Sequence, residues 1–88
     1  MRYSRRSSVS ETPVGDDLFL VDTAKGELFH LDRGARGLWA LLDQPMEFAA
    51  ILKTFGEAFP ETPRDQLERD LRNALATLMS RALVITVP

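Results

Sequence analysis

The sequence predicts an α+β domain in which a small antiparallel sheet comes first and three helices follow. A run of four apolar residues at positions 18–21 lies between aspartates and is too short for a helix, so it predicts a strand. A second β-prone run at positions 27–31 follows a glycine turn. From position 35 to position 82 apolar residues recur at helical spacing. Strands followed by helices, without alternation, favour the α+β class.

Length and composition exclude several classes of protein. Eighty-eight residues make one domain, which buries about two thirds of its unfolded surface. The net charge of −2 gives no general attraction to nucleic acid or to anionic lipid. The absence of cysteine excludes disulfides, thiolate chemistry and a cysteine-ligated zinc site. No apolar run has the length of a signal peptide core or a membrane span, and we expect a cytoplasmic protein without a membrane partner.

We expect residues 1–15 to form an N-terminal tail and residues 16–88 to form the folded domain. Arg2, Arg5 and Arg6 lie among small serines, which favours a solvated segment. Within the tail, the β-prone residues Val9 and Thr12 suit a short first strand. This strand would be the first of three in the N-terminal sheet.

The other two strands are predicted to form a hairpin. Residues 18–21 and 27–31 are joined by a loop that ends in Gly26, which suits a left-handed residue at the close of the loop. Leu28 and His30 point to one face of the second arm, and Phe29 and Leu31 to the other, because side chains alternate along a strand. The sheet is therefore expected to be apolar on both faces, with Asp16, Asp17 and Asp22 as solubilising residues at the strand boundaries.

Asp32 is positioned to cap the first helix, whose buried face is predicted to carry Trp39 at the centre of the core. The second helix presents a stripe of apolar residues that are expected to be core. These residues are Phe48, Ile51, Leu52, Phe55 and Phe59.

The third helix has the strongest sequence signal for its start. Thr62 and Asp65 match a capping box, and Pro63 would occupy the first helical position. The helix is expected to run to about Arg81, followed by a short closing strand over residues 83–87.

The sequence offers no set of residues for catalysis. His30 is the only histidine, so a catalytic triad or a metal site would have to depend on it alone. Gly34 and Gly37 lack the lysine and hydroxyl partners of a phosphate-binding loop. We therefore predict a binding module, not an enzyme, with no catalytic residues, no metal and no cofactor.

A hairpin with three helices has the outline of a winged helix, and a DNA-binding regulator is the alternative function. The charges argue against it, because Arg64, Arg69 and Arg72 of the third helix are offset by neighbouring acidic residues. Only the three arginines of the N-terminal tail would then contact phosphate, so nucleic acid is not the expected partner.

The order of elements and a series of residues resemble the PqqD family of small peptide-recognition domains. In the first half the resemblance rests on residues 18–22, residues 26–32, Gly34-Ala35, Leu38-Trp39 and residues 41–43. In the second half it rests on Phe48, Ile51-Leu52, Phe59, Asp70-Leu71, Leu75, Leu78 and Leu83-Val84. Family members that serve the quinone cofactor pathway usually have a longer, more apolar segment than residues 7–15, so a lasso-peptide or other pathway fits equally well.

The resemblance implies a winged-helix-like, non-catalytic domain that binds the leader segment of a ribosomally made precursor peptide (a RiPP recognition element). The leader would add as a strand beside residues 27–31 and present the precursor to a separate modifying enzyme, such as a radical SAM enzyme, a protease or a cyclase. Of the two flanks of the third helix, we favour the one with Asp70. The implied peptide-binding residues are Glu27, Leu28, Phe29, His30, Leu31, Leu67, Asp70, Leu71, Asn73, Ala74 and Thr77.

A third hypothesis is a homodimer in which the apolar hairpin packs on its own copy. It is compatible with peptide binding, because an edge strand that captures a peptide is also prone to pair with itself.

Overall fold

The computed structural model describes residues 1–88, which form five strands and three helices. The strands are β1 (Arg2–Arg5), β2 (Val9–Val14), β3 (Asp17–Asp22), β4 (Glu27–Leu31) and β5 (Val84–Val87). The helices are α1 (Arg33–Leu41), α2 (Phe48–Ala58) and α3 (Arg64–Ser80). The α+β class, with a three-stranded antiparallel sheet followed by three helices, is confirmed.

The main sheet has the strand order β2-β3-β4, and both pairs are antiparallel. In its centre, Leu20 lies opposite Glu11 on one side and Phe29 on the other. The predicted hairpin is present, and Gly26 closes its loop with φ +69, a conformation that costs glycine least. The side chains of Leu18, Leu20 and Leu31 point inward and form the part of the core that the sheet contributes.

Residues 1–15 contain the short first strand that the sequence predicts, which is β2, but they also form β1 where a solvated segment was expected. β2 pairs with β3 over its whole length. β1 pairs with β5 in a separate two-stranded sheet, in which Arg2 lies opposite Val87. The backbone of Tyr3 also exchanges hydrogen bonds with Met46, at 2.7 and 2.9 Å. The arginines give β1 a polar composition, but β1 is ordered by its pairing with β5 at the other end of the chain. Composition alone does not reveal such a distant pairing.

The core is a single cluster of buried apolar residues between the main sheet and the helices. Trp39 is only 1% exposed, as predicted for its central position. The apolar stripe of α2 is less buried than expected: Ile51 and Leu52 are buried, Phe48 and Phe55 are half-buried, and Phe59 is 53% exposed. Phe59 follows the last residue of α2, so its side chain no longer follows the helical stripe.

Arg5 links the N-terminal strand to the end of α1. Its guanidinium donates hydrogen bonds of 2.9 and 2.6 Å to the Trp39 carbonyl oxygen and lies 4.7 Å from the centre of the indole ring. Arg5 also forms an ion pair of 3.2 Å with Glu11, whose carboxylate accepts a hydrogen bond of 2.7 Å from Trp39 Nε1. This group joins β1, β2 and α1, and we call it the Arg5–Trp39–Glu11 cluster.

The two predicted helix caps have different outcomes. Asp32 caps α1 as expected, because its Oδ1 accepts a hydrogen bond of 2.8 Å from the Ala35 amide. The capping box at α3 is wrong: the helix starts at Arg64, Pro63 holds the cap position and no side chain caps it. Pro63 has no N–H to donate and φ of −55, so it fits the cap position as well as the first turn.

Asp22 is also placed differently from the prediction. It is fully buried, not a solubilising boundary residue, and its Oδ1 accepts a hydrogen bond of 3.0 Å from the Ala24 amide. This bond holds the start of the hairpin loop, a local role that aspartate often has in turns. No helix in the structure has the length and apolar character needed to cross a membrane.

We expect Arg5→Ala to lower the free energy of unfolding by about 2 kcal/mol, because it removes charge-assisted hydrogen bonds to the Trp39 carbonyl and the contact with the indole ring. Chemical denaturation monitored by tryptophan fluorescence measures this change. Arg69→Ala, at an exposed arginine of α3, is the matched control and should change stability little. Equal effects of the two substitutions would contradict the role of the cluster.

We expect Asp32→Ala to lower the free energy of unfolding by about 1 kcal/mol, because the α1 cap is lost. Asp32→Asn should lower it much less, since asparagine caps a helix as well as aspartate does. Denaturant unfolding of the two variants measures the difference. If Asp32→Asn were as destabilising as Asp32→Ala, the carboxylate charge and not the cap hydrogen bond would be responsible.

Candidate functional site

The main sheet has two free edges, and they differ in their capacity to accept another strand. β2 forms one edge and contains Pro13, which has no N–H to donate. β4 forms the other edge and contains no proline, so every one of its residues keeps both backbone groups. The β4 edge is therefore the better template for a strand from another chain.

A cleft of about 1060 Å³ begins at the end of β4 and lies between α1 and α3. His30 and Leu31 line it at the strand, and Gly37 and Leu41 on α1. The opposite wall comes from α3, and the last turns of α2 line it as well, through Phe55, Phe59 and their neighbours. More than half of the lining residues are hydrophobic, which is typical of a surface that binds apolar side chains.

The cleft brings together most of the predicted peptide-binding residues. Those that line it are His30, Leu31, Leu67, Asp70, Leu71, Ala74 and Thr77. Glu27, Leu28 and Phe29 lie earlier on β4, along the free edge and outside the cleft. Asn73 is exposed on α3 and does not line the cleft. Leu28 is 62% exposed on the outer face of the sheet, opposite to the face that holds the core.

The two flanks of α3 have different surroundings. Asp70 and Thr77 line the cleft. On the other flank, Arg72 donates a hydrogen bond of 3.0 Å to Glu68, and its guanidinium lies 4.2 Å from the centre of the Phe48 ring. The flank with Asp70 is therefore the one that faces β4 and α1.

The cleft carries charges of both signs. Asp32 and Arg33 lie at the junction of β4 and α1, and Asp70 and Arg81 lie on the side of α3. The Arg81 guanidinium lies 5.3 Å from the centre of the Phe29 ring, which places a cation against β4. Arg33, Asp70 and Arg81 form no ion pair with another side chain, so their charges are available to a ligand.

His30 lies at the rim of the cleft and interacts with the sheet. Its Nε2 is 3.1 Å from Asp17 Oδ1, and its ring packs edge-to-face on Phe19 at a centroid distance of 5.1 Å. The imidazole thus has a local hydrogen bond and packs against the neighbouring strand β3. No cluster of potential metal ligands surrounds it.

Sequence reasoning missed several residues of the cleft, namely Arg33, Gly37, Phe55, Phe59 and Arg81. Phe55 and Phe59 were interpreted as core because they fit a helical stripe. Pro60, directly after Phe59, was a signal that the helix and its buried face end there. Arg81 had no such signal, because its position against Phe29 depends on how α3 packs beside β4.

Two solved structures have the same fold as this chain. One, TbiB1 in complex with the TbiA(beta) leader peptide, has a TM-score of 0.82 and 24% identity, and the match covers 97% of this chain and 98% of that chain. The other, lasso peptide synthetase B1 complexed with the leader peptide, has a TM-score of 0.77 and 22% identity, over 96% of this chain and 98% of that chain. No curated protein sequence matches the chain.

The comparison with family models identifies the chain more directly. The model described as coenzyme PQQ synthesis protein D (PqqD) matches residues 17–84. This segment contains β3, β4, all three helices and the start of β5, and therefore both walls of the cleft. Because the match spans most of the 88 residues, the chain belongs to the PqqD family.

Proposed function

We propose that this protein binds the leader segment of a ribosomally made precursor peptide and presents it to a separate modifying enzyme, without catalysing a reaction itself. The observation that supports this most directly is the free edge of β4, which runs into an apolar cleft walled by α1 and α3. The two structures with the same fold hold leader peptides, which is consistent with this proposal. We place the protein in the cytoplasm, where such precursors are synthesised.

The β4 edge supplies affinity that depends little on the peptide sequence. An added strand forms backbone hydrogen bonds with β4, and alternate side chains of that strand point towards the inner face of the sheet. On that face the cleft offers Leu31 from β4 and Leu71 and Ala74 from α3. Apolar side chains of the leader would bind there, and this contact would provide selectivity.

The charges at the rim would help to position the peptide. Asp70 favours a basic leader residue, and Arg33 and Arg81 favour acidic ones. Because these groups are exposed, they would affect specificity and the rate of association more than the final affinity.

The alternative, a winged-helix DNA-binding regulator, has less support in the structure than in the sequence. Of the arginines expected in a free tail, Arg2 donates hydrogen bonds of 3.2 and 2.9 Å to the Pro88 carbonyl oxygen. Arg5 belongs to the Arg5–Trp39–Glu11 cluster. On α3, Arg72 pairs with Glu68. These three arginines are committed to contacts within the fold, which reduces the basic surface that phosphates require.

Titration with leader peptides tests strand addition directly. We expect synthetic leaders, taken from short precursor genes beside the gene of this protein, to shift the backbone amide signals of residues 28–31 and of residues 67–77 in NMR spectra. Strand addition should also slow hydrogen exchange of β4 amides, because they gain hydrogen-bond partners. If shifts occurred only along β2, the proposed edge would be wrong.

A bulky substitution inside the cleft tests the role of α3. We expect Thr77→Trp to weaken leader binding at least tenfold, because the indole would occupy the space between α3 and β4. Ala76→Trp is the matched control: Ala76 is exposed on the same helix but does not line the cleft. Isothermal titration calorimetry measures both affinities. Equal affinities of the two variants would contradict binding in the cleft.

A further inference from the structure

The cleft continues beyond the end of β4 to a part that strand addition alone does not use. There, Gly37 of α1 faces Phe55 of α2, on which Phe59 stacks, and Leu67 of α3 lines the same cleft. We call this group the Phe59 subsite. It belongs to the same continuous cleft that starts at His30 and Leu31.

The Phe59 subsite is an aromatic surface with an open face. The rings of Phe55 and Phe59 are stacked at a centroid distance of 6.1 Å and an interplanar angle of 25°. Phe59 remains 53% exposed, although it is a large apolar side chain in a concave surface. A Cβ atom at Gly37 would lie 3.6 Å from Phe55 Cζ, an ordinary van der Waals contact, so the glycine lets the edge of the ring pack close to α1.

We propose that the Phe59 subsite binds an aromatic or branched aliphatic side chain of the leader, contributed by the part of the peptide that extends past the segment paired with β4. This inference rests on the proposed function and adds a second point of recognition to it. The subsite residues carry no charge, and the nearby carboxylate of Asp70 disfavours an acidic side chain.

Continuity with the β4 edge indicates that the occupant is the same peptide. β4 ends at Leu31, the chain enters α1 at Asp32, and both line one continuous cleft, so leader residues beyond the segment paired with β4 would lie beside α1. Gly37 is the fifth residue of α1, which places it about 6 Å along the helix from its start. Two extended residues of the leader span that distance.

The experiment uses substitutions that preserve the fold. Gly37→Leu adds a branched side chain beside Phe55 and so narrows the subsite, and it is compatible with the helix, because Gly37 has no positive φ and leucine is the better helix former. Phe59→Ser removes the exposed ring. Their matched controls are Ala76→Leu and Met79→Ser, at exposed positions of α3 outside the cleft.

We expect Gly37→Leu and Phe59→Ser each to weaken binding of a gene-adjacent synthetic leader about tenfold, while both controls bind as the unmodified protein does. An alanine scan of the leader should then find one bulky apolar residue, outside the strand-paired segment, whose loss weakens binding to the unmodified protein. Replacing this leader residue by alanine should further weaken binding to the Phe59→Ser variant only slightly, because the two changes remove the same contact.

The outcomes separate this inference from the proposed function. The Phe59 subsite is refuted if Thr77→Trp weakens leader binding but neither Gly37→Leu nor Phe59→Ser changes the affinity. In that case strand addition at β4 stands. If the alanine scan finds coupling only to leader residues paired with β4, the subsite is likewise refuted. If no gene-adjacent leader binds the unmodified protein, the proposed function itself fails.

Discussion

The position of α1 depends on the Arg5–Trp39–Glu11 cluster. Arg5 satisfies a carbonyl oxygen near the end of α1, and Glu11 accepts the indole N–H of a side chain that is otherwise surrounded by apolar residues. A buried indole without a partner for its N–H would be costly, so this hydrogen bond joins β2 of the sheet to α1. Since α1 is one wall of the cleft, this polar cluster also helps to fix the shape of the binding surface.

The two edges of the main sheet differ, so that only one of them exposes a strand that can readily pair with another chain. Pro13 and the exposed polar residues of β2 make that edge a poor template for pairing. β4 lacks such protection but lies beside a cleft with charged groups at its rim.

The sequence was most informative where structure is set locally. The hairpin, the Asp32 cap and the buried Trp39 each follow from a short pattern, and each is present. Local patterns did not predict features that depend on contacts between distant segments of the chain. The pairing of β1 with β5 and the contact of Arg81 with Phe29 join parts of the chain that no local signal connects. Phe59 was misplaced for a related reason: helical periodicity was extended one residue past the end of α2.

The pairing of β1 with β5 brings the two ends of the chain side by side. Arg2 lies opposite Val87, and its guanidinium contacts the carbonyl group of Pro88. A domain with adjacent termini can be inserted into a surface loop of a larger protein, or circularly permuted, with little distortion of either partner. For a module that delivers a substrate, such an insertion would turn the encounter with an enzyme into an intramolecular step, at an effective concentration set by the linkers alone.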